Sequence, residues 1–182
     1  SYLLNKNKIN CPETYIFRGQ KAASGFISNY NFKSKLIYKP LFGSQGDNIR
    51  LIERASDLEK LENQTNIYYF QEYLDNSPNY DYRVLVINNN DNIKYFYMTR
   101  YGETFINNFS KGAKCIKEKL NEDVIELAIK SSRLLNIDFC GVDIIEYKRQ
   151  YYVIEVNSIP AWKGLQKVES ANISDYITSL FA

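Results

Sequence analysis

Two pairs of apolar segments, each joined by a short polar turn, constrain this chain more than any other feature. YRVLVI at 82–87 and IKYFYMTR at 93–100 flank NNNDN, and IDFCGVDIIEY at 137–147 and YYVIEVN at 151–157 flank KRQ. β-Branched and aromatic residues around Asn- and Asp-rich turns predict two β-hairpins, and hence antiparallel sheet. NEDVIELAIKSSRLL at 121–135 has helical periodicity instead, with Val124, Leu127, Ala128 and Leu135 near one face and Asn121 as a candidate N-cap. Strands interleaved with helices in this order define a mixed α+β chain.

The N-terminal part has its own strands. TYIFR at 14–18, KLIYK at 35–39, IRLI at 49–52 and IYYFQEY at 67–73 read as strands, with a weak helix expected over 20–31 and a helix-like stretch over 55–64. Pro40 stops the third segment, and the glycine loop LFGSQGDN follows it. Residues 101–120 read as a long loop and 170–181 as a closing helix. The polar break DNSPNYD at 75–81 separates two lobes, expected as 1–78 and 79–182. At roughly 150 residues per domain, 182 residues fit one domain or two such lobes.

Composition excludes several chemistries. The chain contains no histidine, which removes the Ser-His-Asp triad, the Cys-His pair and histidine-ligated zinc. No apolar run approaches the roughly 18–20 residues of a membrane span, and no signal peptide is evident. Cys11, Cys115 and Cys140 are odd in number and widely spaced, as free thiols of a cytoplasmic protein are. The net charge of +2 is too small to suggest nucleic acid, but it is unevenly spread. Residues 1–50 carry 8 Lys+Arg against 2 Asp+Glu, net +6, and the remainder 15 against 19, net −4. A basic part facing an acidic part suits an anionic ligand with a divalent cation; uneven surface charge is the plainer alternative.

Three constellations carry the candidate chemistry. Lys39 ends a strand just before Gly43-Ser44-Gln45-Gly46, whose glycines permit close approach of N–H groups to an anion. No GK[ST] follows, so this is not a P-loop, and a hairpin turn beside a surface lysine would look the same. Asp143 and Glu155 each interrupt an apolar strand, and Asn157 shares a strand face with Glu155. Buried carboxylates are normally paired or metal-bound, and oxygen-only donors suit Mg²⁺; a salt bridge or cross-strand hydrogen bond is the alternative. Asp81, Arg83 and Arg100 lie on the first hairpin of the second lobe, where the arginines would either grip a phosphate or carboxylate or stand on an exposed face. Gln71-Glu72-Tyr73 ends a strand at the lobe junction and could meet a purine.

IYKPLFGSQGDNIRLI, YYFQEYL, DYRVLV, FINNFSKGA, CGVDII and VIEVNSIPAWKGLQ occur in that order. Together they resemble the ATP-grasp superfamily, and most nearly its RimK-like α-L-glutamate ligases, over residues 3–180. The ending PAWKGLQ is similar to a subgroup associated with tetrahydromethanopterin biosynthesis. The resemblance implies two α+β lobes gripping ATP, with Mg²⁺ (or Mn²⁺) as cofactor and a small molecule or peptide as the other substrate. It implies no nucleic-acid or membrane partner, and the family's dimers and tetramers leave a homo-oligomer open. By the same analogy Lys39 contacts phosphates beneath the Gly43, Ser44, Gln45 and Gly46 flap. Gln71, Glu72 and Tyr73 border adenine, Asp81 helps hold the nucleotide, and Asn107 and Asn108 reach the phosphates. Asp143, Glu155 and Asn157 match the magnesium ligands, and Arg83 and Arg100 match arginines near the phosphoryl and acyl groups.

Two departures stand out. Ile106 and Ser110 occupy positions where many relatives have Arg and His, with Lys111 near enough to compensate. A preceding domain of the family is expected to be missing. The implied activity is an ATP-dependent carboxylate–amine ligase working through an acylphosphate. A ligase of different substrate, a non-catalytic nucleotide-binding module and a nucleic-acid binder using the basic N-terminal part are the alternatives.

Overall fold

The computed structural model describes residues 1–41, 47–61, 65–76, 78–89, 92–103 and 112–181. Their contacts group into two units, Pro12–Asp75 and Ser1–Cys11 with Asn76–Ala182.

The unit Pro12–Asp75 is a four-stranded antiparallel sheet in the order β1-β4-β2-β3, built from β1 (Thr14–Arg18), β2 (Leu36–Lys39), β3 (Arg50–Ile52) and β4 (Ile67–Glu72). Helix α2 (Gln20–Asn29) lies against one face, burying Ala23 and Ile27 on Leu36, Tyr38, Ile52 and Phe70. Strand alternation selects these residues, because positions two apart share a face. Phe26 packs with its ring centroid 4.7 Å from those of both Tyr15 and Phe17, tilted against each, so aromatic rings fill much of this small core. Fully burying a side chain such as Phe70, Leu36 or Ile52 is worth about 1.5–3 kcal/mol, which lets a sheet this small hold together. The stretch expected as a helix over 55–64 is instead a 3₁₀ helix, Ala55–Lys60. Its apolar anchors Leu58 and Leu61 are three apart, which matches three residues per turn.

The other unit is a five-stranded antiparallel sheet in the order β7-β6-β5-β8-β9. Its long strands are β5 (Tyr80–Asn89), β6 (Asn92–Tyr101), β8 (Phe139–Tyr147) and β9 (Gln150–Asn157), the two expected hairpins. β7 (Lys114–Ile116) corrects the expectation of an unbroken loop over 101–120. Three residues leave no alternation to read, and their strand character comes from pairing with the edge of β6. Helix α3 (Glu122–Leu134) and the short α1 (Tyr2–Lys6) cover one face over Val84, Val86, Val142, Ile144 and Val153. Asn121 caps α3, accepting the Asp123 N–H at 3.0 Å. On the opposite face, α4 (Lys163–Gln166) and α5 (Ile173–Thr178) pack Leu165 and Ile173 onto Leu85, Ile87, Phe96 and Met98. The expected closing helix over 170–181 is thus α5 followed by a 3₁₀ turn, Ser179–Phe181.

That second face changes character along β5. Leu85 and Ile87 lie under the helices, whereas Asp81 and Arg83, of the same alternation, lie beyond them. The candidate site begins there.

Candidate functional site

Register brings the charged residues together. Asp81 pairs with Arg100 across β5 and β6, Arg83 with Asp143 across β5 and β8, and Asp143 with Glu155 across β8 and β9. Asn157 pairs with Gly141 two positions along. Directly opposed residues point to the same side, so all of these groups share one face.

A β-bulge makes this arrangement possible. Asp143 opposes Glu155, but Ile144 opposes Val153, so Ile154 is an extra residue on β9. In a regular strand Val153 and Glu155 would share a face. With the bulge, Val153 enters the apolar core under α3 while Glu155 stands beside Asp143. The bulge is the feature that sequence alternation missed.

The four groups on β5, β6 and β8 form a continuous ionic chain. Arg100 donates from Nε to Asp81 Oδ1 at 2.6 Å and from Nη2 to Oδ2 at 2.8 Å. Arg83 donates to both oxygens of Asp143, from Nε to Oδ1 and from Nη2 to Oδ2 at 2.7 Å. Arg100 Nη2 also lies 3.1 Å from Asp143 Oδ2. All four residues are buried, between 2% and 7% exposed, so the arginines do not stand on an open sheet face. Two acids and two guanidiniums balance, which is what buried charges require.

The carboxylates differ in how well they are compensated. Burial pushes the Asp81 carboxyl up to about 6 even with Arg100 beside it. Burial also disfavours the Asp143 carboxylate, but the Arg100 and Arg83 charges outweigh it and hold that group below its ordinary value. Asp81 has one arginine and Asp143 has two, so Asp81 takes the proton first. Burial would lower Arg100, yet Asp143 and Asp81 raise it, so it stays charged.

Glu155 is exposed and Asn157 half-buried, at the rim of this network. Among the described residues no group of three or more His, Cys, Asp and Glu is arranged for a metal, and the expected ligand set is two carboxylates and one amide. Its donors are all oxygen, as a hard divalent cation requires. Asp143 Oδ1 accepts one hydrogen bond, from Arg83, and a carboxylate oxygen has two lone pairs. The residues present therefore fit such an ion.

Within Pro12–Asp75, Lys39 ends β2 on the face away from α2, opposite Tyr69. It is half-buried, and its Nζ donates to Gln71 Oε1 at 2.6 Å. Gln71 is buried beside it, which gives this residue a side-chain role that its position at the strand end did not reveal. The Glu72 N–H donates to the Glu13 carbonyl at 2.8 Å and the Tyr73 N–H to the Lys35 carbonyl at 2.9 Å. Both amide hydrogens are thus engaged in the sheet. Gly43, Ser44, Gln45, Gly46, Asn107 and Asn108 lie outside the described residues, as do Ile106, Ser110 and Lys111.

One antiparallel sheet thus carries Lys39 at the end of β2, and the other carries the acids and arginines. The RimK-like ATP-grasp domain matches residues 1–180, and the chain belongs to that family. It is 29% identical to the tetrahydromethanopterin:alpha-L-glutamate ligase of Methanocaldococcus jannaschii, over 96% of this chain and 62% of that protein. It is 29% identical to the alpha-aminoadipate–LysW ligase LysX of Saccharolobus solfataricus, over 97% of this chain and 66% of that one. A probable alpha-L-glutamate ligase of Haemophilus influenzae is 31% identical, over 96% and 60%. The chain thus spans about three fifths to two thirds of the length of these curated relatives.

Solved structures agree on the fold. The D-alanine-D-alanine ligase of Coxiella burnetii superimposes with a TM-score of 0.72 at 10% identity, covering 98% of this chain and 53% of that one. The ATP-grasp ligase PsnB, complexed with minimal precursor, Mg and ADP, gives 0.67 at 19% identity, over 100% and 57%. Among the described residues no helix is long and apolar enough to cross a membrane.

Proposed function

We propose that this chain is the nucleotide- and metal-binding part of an ATP- and Mg²⁺-dependent carboxylate–amine ligase that adds L-glutamate to an acceptor. The observation that carries this, beside membership of the family, is the oxygen-donor face of the β8–β9 hairpin. Asp143, Glu155 and Asn157 are its metal ligands, and the three thiols suit a reducing cytoplasm. When bound, Mg²⁺ offsets phosphate charge and orients the transferred group.

The chain's own residues supply the rest. Lys39 offers a compact cation to phosphate oxygens, with Gln71 fixing the direction of its ammonium group. The loop Gly43, Ser44, Gln45 and Gly46 covers those phosphates, Asn107 and Asn108 approach them, and Gln71, Glu72 and Tyr73 border adenine. With their amide hydrogens engaged, Glu72 and Tyr73 would present carbonyls to it. Asp81, expected to help hold the nucleotide, does so through Arg100, which both of its oxygens keep in place.

A carboxylate is a poor electrophile, so phosphorylation by ATP to an acylphosphate activates it. The amine then attacks the acyl carbon, phosphate leaves, and an amide remains. Arg83 and Arg100 are cations already fixed in place, so stabilising the developing oxyanion needs little reorganisation. No histidine is required.

Two products distinguish this chemistry. The reaction should release ADP and inorganic phosphate, with ¹⁸O passing from a labelled acceptor carboxylate into that phosphate. Release of AMP and pyrophosphate, or no label transfer during amide formation, would overturn the acylphosphate route. Nucleotide binding without turnover by the protein, given glutamate and a panel of pterin, peptide and protein acceptors, would favour a non-catalytic module.

A further inference from the structure

Gly141 sits in the interior of β8, opposite Leu85 on β5 and Asn157 on β9. A glycine there weakens a strand unless something needs the space. Gly19 and Gly112 are the described glycines with positive φ, so Gly141 adopts angles open to any residue. Its lack of a side chain answers a different demand.

The space is already filled. A Cβ on Gly141 would stand 3.0 Å from Arg83 Nη1, 3.3 Å from Arg83 Cδ and 2.9 Å from Pro160 Cβ. The Arg83 side chain, from Cδ to Nη1, lies against the place a Gly141 side chain would take, and Pro160 borders the same place. Its Nε and Nη2 meet the two Asp143 oxygens in a two-pronged grip.

We propose that Gly141 is a positioning residue: by leaving its place to the Arg83 guanidinium, it fixes the two-pronged grip of Arg83 on Asp143. The consequence for metal binding rests on the function proposed above. Arg83 leaves a lone pair on Asp143 Oδ1 and fixes the direction in which it points. Hydrogen bonds that orient a ligating carboxylate typically govern metal affinity by about 10–100-fold. Gly141→Ala therefore weakens Mg²⁺ binding without touching a ligand.

The test uses two readouts on the protein. The first is the Arg83 Nε–H resonance in ¹H–¹⁵N spectra, assigned through its loss in Arg83→Lys. A hydrogen bond to a buried carboxylate shifts this proton downfield and protects it from exchange. Gly141→Ala should remove both signatures while amide resonances of Val84 and Val86 stay in place. An unchanged Nε–H in a folded Gly141→Ala variant would overturn the proposal. The second is Mg²⁺ titration in the presence of a non-hydrolysable ATP analogue, where Gly141→Ala should weaken the apparent metal affinity by roughly tenfold or more.

Unaltered metal affinity after loss of the Nε–H signal would overturn the link to metal. Absence of Mg²⁺-dependent binding in the wild type would instead fail the proposed function, leaving the Nε–H result to decide on Gly141. Should Gly141→Ala not fold, the same change in an Arg83→Ala, Asp143→Asn background, which empties the slot without leaving a buried charge unpaired, decides the matter. Restored folding there supports a slot kept for the guanidinium. Failure of the triple variant where Arg83→Ala, Asp143→Asn itself folds shows that Pro160 alone demands the glycine and overturns the proposal.

Discussion

Asp81 and Arg100 oppose each other on β5 and β6 and are joined twice, at 2.6 and 2.8 Å, with Arg100 reaching on to Asp143 at 3.1 Å. Through Arg100 the two acids of the face become one network. Such a network adds little stability over apolar residues of the same shape, but removing one partner leaves a buried charge uncompensated, at a cost of about 3–5 kcal/mol. Arg100→Met should lower the unfolding free energy by that amount in urea denaturation. A change below about 1 kcal/mol would mean that water reaches the network and screens it.

The same network sets a pH dependence. Burial raises the folded Asp81 carboxyl from its ordinary 3.8 to about 6. Between those values the folded chain holds a proton that the unfolded chain has lost. The stability contributed by protonated Asp81 is therefore complete below 3.8 and is lost as pH rises through about 6. Asp143 shifts the other way, and its contribution is lost only as pH falls below the ordinary carboxylate range. Asp81→Asn removes the first effect. Thermal midpoints should show the wild type losing ground to Asp81→Asn as pH rises from about 4.5 to about 7, because only the wild type sheds that proton. Parallel curves, or a gain for the wild type, would contradict this.

Lys39 offers a separation of roles. Lys39→Met leaves the buried Gln71 oxygen without its donor, which should cost about 1–3 kcal/mol of stability. Replacing Gln71 by Met as well should return most of that stability. Nucleotide affinity should stay reduced in both variants by about tenfold or more, the worth of a charge-assisted phosphate contact. Lys39→Arg should not restore it, because a planar fork cannot place a point charge where the ammonium sits. Recovery of affinity in the double variant would show that Lys39 serves the fold alone.

Much of this was legible from residue types. Strand alternation in YRVLVI and YYVIEVN marks the hairpins, and Asp143 and Glu155 stand out as acids among apolar neighbours. What alternation cannot display is what lies across the sheet. The partners of Arg83 and Arg100 depend on register between strands, which sequence leaves open. The bulge at Ile154 reverses the face of one half of β9 against the other, and only pairing with β8 reveals it. Gly141 looked like part of a motif, and its reason, the Arg83 side chain above it, is a matter of space. Conversely, β7 has three residues and takes its conformation from β6, so no local signal announces it.

The central claim is that the face bearing Asp143, Glu155 and Asn157 holds a divalent cation together with a nucleotide. Calorimetric titration of the protein with a non-hydrolysable ATP analogue, with and without Mg²⁺, tests it most directly when repeated on Glu155→Ala. Glu155 is exposed, and a urea denaturation curve of the variant separates lost binding from lost folding. The account predicts binding that requires Mg²⁺ in the wild type and disappears in Glu155→Ala. Equal binding in both proteins, indifferent to Mg²⁺, would contradict it.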